Sequence, residues 1–253
     1  MLMCERLKYD AIISLGGNCA AASQLQIRGL RNYSLPFDWL YMMDPKAISF
    51  LATEFPSGLP NFFKRENLCR FECLQRNGTA PFHYKDDISR FCFIHHFSES
   101  LEEGGYDDVE VKIKRRIKRM FDLIENAECV LFILATAFPF ESFLSDKLVN
   151  SFRNRWPRKR IDFHIMQFGV NELKGGVLSD ILTINGYDIY RYKRQMDSYD
   201  ISFTSSEWSF LDNLELQEKR RKFSFFDGIL YKIWKKISKR LKSKGYGCLG
   251  ARF

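Results

Sequence analysis

The chain has 253 residues, 45% of them hydrophobic and 28% charged, so it is long enough to bury a core and too apolar to be disordered as a whole. Its net charge of +8 is uneven, with a large share between Lys219 and Lys244. No apolar run reaches the roughly 18 residues that a membrane-spanning helix needs, which excludes an integral membrane protein of the helical kind.

Residues 9–15 are expected to form one buried strand, and Gly16-Gly17-Asn18 turns it into a helix over 19–28 that stops at Gly29. Leu35-Pro36-Phe37-Asp38-Trp39 predicts an ordered turn, because Pro36 pushes Leu35 out of helical geometry. Asp44 is placed to cap a helix with Pro45 in its first turn and Ile48, Leu51 and Phe55 facing inward. Residues 56–90 give no clear periodicity. Phe91 to Ile94 predicts a short buried strand that ends at His95-His96-Phe97. A charged helix follows over 107–126, with Val111, Ile113, Ile117, Met120, Leu123 and Ile124 as its apolar stripe. Residues 129–134 lack alternation and predict a strand buried on both faces. A helix over 141–153 and strands over 161–166 and 187–192 complete the pattern.

Strands alternating with helices predict an α/β fold of three layers, a mostly parallel sheet with helices on both faces. Residues 1–215 are expected to form a single α/β catalytic domain, and 216–253 a basic amphipathic tail. In that tail Phe226, Ile229, Leu230, Ile233, Trp234, Ile237 and Leu241 recur at helical spacing among lysines. Residues 223–241 therefore predict either a helix lying on an anionic membrane surface or one docked on the domain with a solvated basic face. No recognition motif accompanies the charge, so nucleic acid is not an expected partner.

The seven cysteines are odd in number and scattered, and Met1 to Tyr9 is short and charged, unlike a secretory leader. A reduced, cytoplasmic setting is expected, peripheral to the inner membrane if the tail binds lipid. Cys69 and Cys73 stand four apart with no second cysteine pair or histidine cluster, so no metal site is expected.

Cys19 is the residue with the clearest chemistry. At the carboxyl end of a strand and the positive end of a helix, its thiolate is expected to be favoured, and the thiolate is the form that attacks carbonyls. It is otherwise a small residue packing that helix. The amides of Gly17, Asn18 or Ala20 are candidates for an oxyanion hole, and Asn18 either donates to it or caps the helix. His95, at the end of its strand, is the expected base, with His96 as the alternative. His83 and His164 are expected to be structural. Asp38 either orients the histidine or fixes its own turn. Arg31 either binds a carboxylate or phosphate of the substrate or pairs with Asp38.

Ser14-Leu15-Gly16-Gly17-Asn18-Cys19, Leu30-Arg31 and Pro36-Phe37-Asp38-Trp39 together resemble a bacterial family of unknown function labelled as papain-like cysteine peptidases. Its pattern continues in His95-His96-Phe97, Lys114-Arg115-Arg116-Ile117-Lys118-Arg119 and Val130 to Leu134, with His96 standing where the family has an aspartate. The resemblance covers roughly residues 9–135 and implies a Cys/His mechanism, by position Cys19 and His95. The Gly-Asn-Cys turn is also similar to the first block of SGNH/GDSL-type hydrolases and related capsule acyltransferases, which have a flavodoxin-like sheet. A papain-like α+β fold is the alternative that the family label implies.

The expected function is acyl transfer through Cys19, as a hydrolase that needs no cofactor. One alternative is an acyltransferase of bacterial surface-polysaccharide biosynthesis, with acyl-CoA as a candidate donor. Another is a non-catalytic module that binds carbohydrate or a membrane surface. The substrate is a small molecule, a glycan or a peptide.

Overall fold

The computed structural model describes residues 7–17, 19–42, 44–72, 80–136, 142–169, 177–184, 187–193 and 208–217. The chain divides into two compact units, Met1–Gln217 and Glu218–Phe253, and every described residue lies in the first. The expected helix over 223–241 and the role of Asn18 fall outside the described residues. No described helix is long and apolar enough to cross a membrane.

The apolar run expected as one strand is split at Asp10. Leu7–Tyr9 is β1 and Ala11–Ser14 is β2. The Asp10 carboxylate accepts the amides of Glu128 and Cys129 at 2.8 and 3.0 Å, which pins the break to the start of a distant strand. On one side of it β1 pairs in parallel with β11 (Leu214–Leu216). On the other, β2 enters the main sheet. A polar side chain that satisfies two backbone amides ends a strand as firmly as a proline, but it leaves no mark in the hydrophobic pattern.

The first helix, α1, runs over Cys19–Ile27, and Gly29, at φ +69°, ends it as expected. Next come β3 (Tyr41–Met42) and α2 (Lys46–Glu54). Asp44 Oδ1 accepts the Lys46 amide at 2.8 Å, so Asp44 caps the helix as its position predicts. Ile48, Leu51 and Phe55 are fully buried. Then follow β4 (Leu68–Arg70), β5 (Phe82–Asp86), β6 (Phe91–Phe97), α3 (Gly105–Asn126), β7 (Cys129–Thr136) and α4 (Ser142–Arg155). The long strands β8 (Arg160–Gly169), β9 (Val177–Ile184) and β10 (Tyr187–Lys193) close the main sheet.

The protein is of the mixed α/β class, but it is built on more than one sheet. The main one has the order β2-β7-β8-β10-β9, parallel except for β9 against β10. Along β7, alternate side chains enter different clusters. Val130, Phe132 and Leu134 pack with residues of α2, α3 and α4, among them Ile48, Ile113, Met120 and Phe152. Leu131, Ile133 and Ala135 pack instead with Ala20, Ala21 and Leu25 of α1 and with Trp208. Burial on both faces explains why this strand reads as an unbroken apolar run.

A second, antiparallel sheet of order β3-β6-β5-β4 takes in the strand expected at Phe91 to Ile94, which runs on to Phe97 through both histidines. Its strands β3, β4 and β5 have only two, three and five residues, too few to show a period of two. Buried Asp86, the last residue of β5, ties the turn into β6 and the distant Phe63 together, accepting the amides of Phe63, Ile88 and Ser89 at 2.8 to 3.0 Å. Between the two sheets lies a phenylalanine cluster that includes the Phe55–Phe152 stack at 4.4 Å and the Phe37–Phe91 pair at 5.2 Å.

On α3 the expected stripe is wrong at one position. Val111 is 64% exposed, whereas Val109 and Ile113 are buried. At about 100° per residue, Val111 points some 200° away from both of these neighbours.

Candidate functional site

The turn after β2 is held by backbone contacts that leave room for nothing but glycine. Gly17 has φ +99°, and a β-carbon there would lie 1.5 Å from the Ala135 carbonyl oxygen at the end of β7. Its own carbonyl accepts the Met42 amide at 3.2 Å, within a one-residue parallel bridge to Tyr41. The Gly16 carbonyl accepts the Ala135 amide at 3.4 Å, and the Gly16 amide donates to Ser14 Oγ at 3.2 Å. The turn is thus clamped between the main sheet and the edge of the antiparallel one. Two residues later Cys19 opens α1, half-buried, with Ala20, Ala21 and Ala22 fully buried behind it.

The expected preference for a thiolate is not what this position gives. Burial pushes the Cys19 thiol pKa up, and its own backbone amide opposes this less strongly. Desolvation of the half-buried sulfur disfavours its charged form. The resting group is therefore a protonated thiol.

The histidines enter through β6. Tyr41 of β3, the residue bridged to Gly17, lies opposite Cys92, and His95 follows three residues along the same strand. The Trp39 ring stands edge-on to His95, with centroids 6.5 Å apart. Burial, reinforced by the neighbouring His83, lowers the pKa of His95, so its imidazole is neutral at pH 7. Among the described residues no hydrogen bond joins it to the Cys19 thiol.

His96 points elsewhere. Burial and the Arg116 guanidinium push its pKa down to about 3. Its Nε2 faces Arg116 Nη1 at 3.5 Å, and its buried Nδ1 has no hydrogen-bond partner. Of the other histidines, His164 is buried in β8 and stacks on Phe210, while His83 lies on β5 beside Phe71 and close enough to His95 to act on its charge.

Asp38 and Arg31 find each other. Asp38, its side chain 1% exposed, receives Arg31 Nε at 3.1 Å and the Leu35 amide at 2.7 Å on Oδ2. Burial still pushes its carboxyl up to about 6, against the pull of Arg31. This corrects the reading of Asp38 as the orienter of the histidine, because no hydrogen bond runs from it to His95 among the described residues. Its charge is drawn to the nearer guanidinium instead.

Arg31 is equally committed. It donates to the carbonyls of Tyr33 and Ala22 at 3.0 and 3.2 Å and to Ser34 Oγ at 2.9 Å, and it lies over the Trp39 ring. Of the two roles open to it, the ion pair is the one present. The pair ties α1 at Ala22 to the turn that carries Trp39, and through Trp39 to His95.

Two further residues join this network beyond those the sequence marks as site candidates. Arg119 donates to the Ser34 carbonyl at 3.2 Å and covers Tyr33, and Arg116 lies beside His96. Their spacing on α3, with Lys112 one turn earlier, is the signal that points to them, since positions 112, 116 and 119 share a helix face. Among the described residues no group of three or more His, Cys, Asp or Glu side chains is arranged to hold a metal ion.

Comparison with curated proteins finds no match to this chain, and comparison with solved structures finds none either. One family model, described as "Putative papain-like cysteine peptidase (DUF1796)", matches residues 10–168, and this chain belongs to that family.

Proposed function

We propose that the protein is a cysteine-dependent hydrolase in which Cys19 is the nucleophile and His95 the general base. The observation that carries this reading is the clamped glycine turn. It brings Gly17, two residues before Cys19, to the edge of the sheet whose β6 strand bears His95. Membership of a family described as putative papain-like cysteine peptidases supports a cysteine-dependent hydrolase, within which the pair is our own assignment.

In this scheme a neutral His95 removes the thiol proton as sulfur bonds to the carbonyl carbon of an ester, thioester or amide. The oxyanion is met by amides around the turn and the first turn of α1, the candidates being those of Gly17, Asn18 and Ala20. The imidazolium returns the proton to the departing alcohol, thiol or amine. Water, deprotonated by His95, then splits the thioester and restores the thiol. A protonated thiol and a neutral imidazole suit general-base activation better than a preformed ion pair. His95 must reach the sulfur directly or through one water when substrate binds.

The packing of α1 against one set of β7 side chains and of α2, α3 and α4 against the other supports a three-layer arrangement of residues 1–215. A surface-polysaccharide acyltransferase would use the same first half-reaction, with a glycan hydroxyl replacing water.

A second reading, a non-catalytic binding module, is favoured by one observation: among the described residues no hydrogen bond joins the Cys19 thiol to His95. Turnover of p-nitrophenyl acetate separates the two. Hydrolysis lost in Cys19→Ala and kept in Cys69→Ala supports the enzyme. Full activity in Cys19→Ala, or none above background in the wild type, supports the module.

A further inference from the structure

The Lys/Arg-rich face of α3 plays no part in the Cys19–His95 chemistry, yet it converges on the same network. Arg31, Arg116 and Arg119 lie around one turn, residues 33–39, where the facing carboxylate is that of Asp38. That is three guanidinium groups against a single acid. Arg31 is 8% exposed and its donors are spent on Asp38, Tyr33, Ala22 and Ser34. Arg119 is held by the Ser34 carbonyl and the face of Tyr33.

Arg116 differs from both. It is partly buried, yet no carboxylate lies within 4.0 Å of it among the described residues, and its one hydrogen-bond contact is His96 Nε2 at the outer limit of 3.5 Å. A guanidinium carries five N–H donors in a rigid fork, and those of Arg116 that His96 does not engage are open to solvent and so to an anion. The nearby His96 adds a buried Nδ1 with no partner, and its imidazole, held neutral by burial and by Arg116 itself, supplies no negative charge. Asp38 feels the charge of Arg116 but makes no ion pair with it, because its Oδ2 is taken by Arg31 and Leu35 and its Oδ1 makes no hydrogen bond.

We propose that Arg116, supported by the field of Arg31 and Arg119, is the anchor for an anionic group, a carboxylate or a phosphate, on the substrate. Calling that ligand a substrate rests on the Cys19–His95 reading; the anion site itself does not. Arg116 faces His96, the neighbour of the proposed base His95 on β6. The substrate class is then an acyl compound that carries a negative charge at a distance from its reacting carbonyl. A bidentate guanidinium–oxyanion pair fixes orientation as well as charge, which a lysine would not do.

The test is thermal unfolding of the full chain, titrated with sodium phosphate or sodium acetate at constant ionic strength, with chloride as the control. It is repeated in a Cys19→Ala background. The midpoint is expected to rise with one of the two oxyanions and not with chloride, equally with and without the thiol. Arg116→Gln should weaken the apparent affinity about tenfold or more, the loss of a charge-assisted pair. Arg116→Lys should weaken it less, and it carries the same test if the glutamine variant does not fold. Lys114→Gln, two positions away and paired with Glu110 at the surface, should leave it unchanged. A rise reproduced by chloride, or one that survives intact in both Arg116 variants, overturns the proposal. Anion binding that persists in a protein without esterase activity would sink the enzyme reading and leave the anion site standing.

Discussion

Gly17→Ala puts the clamp under its sharpest strain. The left-handed φ of +99° costs an L-residue about 1–2 kcal/mol by itself. A β-carbon 1.5 Å from the Ala135 oxygen and 2.6 Å from its carbonyl carbon cannot be absorbed by a side-chain rotation, because both atoms are backbone. Either the end of β7 or the turn must move. The hydrogen bonds of Met42 to Gly17 and of Ala135 to Gly16 go with it, at roughly 1 kcal/mol each. The total is about 3–5 kcal/mol, a large part of the stability of an ordinary domain. Gly29→Ala is the matched control: its φ is +69° and nothing lies within 4 Å of the place a β-carbon would take, so only the conformational cost applies. Urea unfolding of both variants gives the comparison. A Gly17→Ala loss no greater than that of Gly29→Ala would refute the clamp.

Ile113→Ala should cost about 2–4 kcal/mol and Val111→Lys less than about 0.5, a contrast that chemical denaturation reads directly. Because burial raises the Cys19 pKa, its alkylation by iodoacetamide should keep accelerating above pH 9, and a plateau near neutrality would mean a thiolate at rest. Asp38 titrates near 6 when folded and 3.8 is its ordinary value, so the folded state holds the proton more tightly. Its contribution is fully present below about pH 4 and is lost as the pH rises through 6. At 1.36 kcal/mol per pH unit it amounts to roughly 3 kcal/mol. Wild type minus Asp38→Asn, followed by urea unfolding between pH 4 and 7, should show that fall, and a flat difference would contradict it. Removing residues 223–253 should abolish sedimentation with vesicles of anionic lipid if the tail meets a membrane, and unchanged binding would rule that out.

The order of the main elements follows from the sequence because each carries its own periodic or apolar signature. α1 and its Gly29 stop, the Asp44 cap, β7 and the inward face of α2 are all of this kind. The antiparallel sheet is not, since strands of two to five residues have too little length for a pattern. Asp10 and Asp86 organise backbone amides far away in sequence, and such long-range acceptors have no local mark. For the site, residue types point to the right neighbourhood but not to the partners. Arg31, Asp38, His95 and His96 do lie along one network, yet Asp38 serves Arg31, and His96 serves Arg116. The protonation state of Cys19 escapes the sequence for a related reason. A sequence shows that a helix begins there, but not how deeply its first residue is buried.

The central claim is tested most directly by acid-quenching the full chain during p-nitrophenyl acetate turnover and mapping the acetyl group by mass spectrometry. The account predicts an acetyl thioester on Cys19, formed about a hundredfold more slowly in His95→Ala, the smaller end of what a general base contributes. Acetylation confined to other residues, or a Cys19 rate indifferent to His95→Ala, would contradict it.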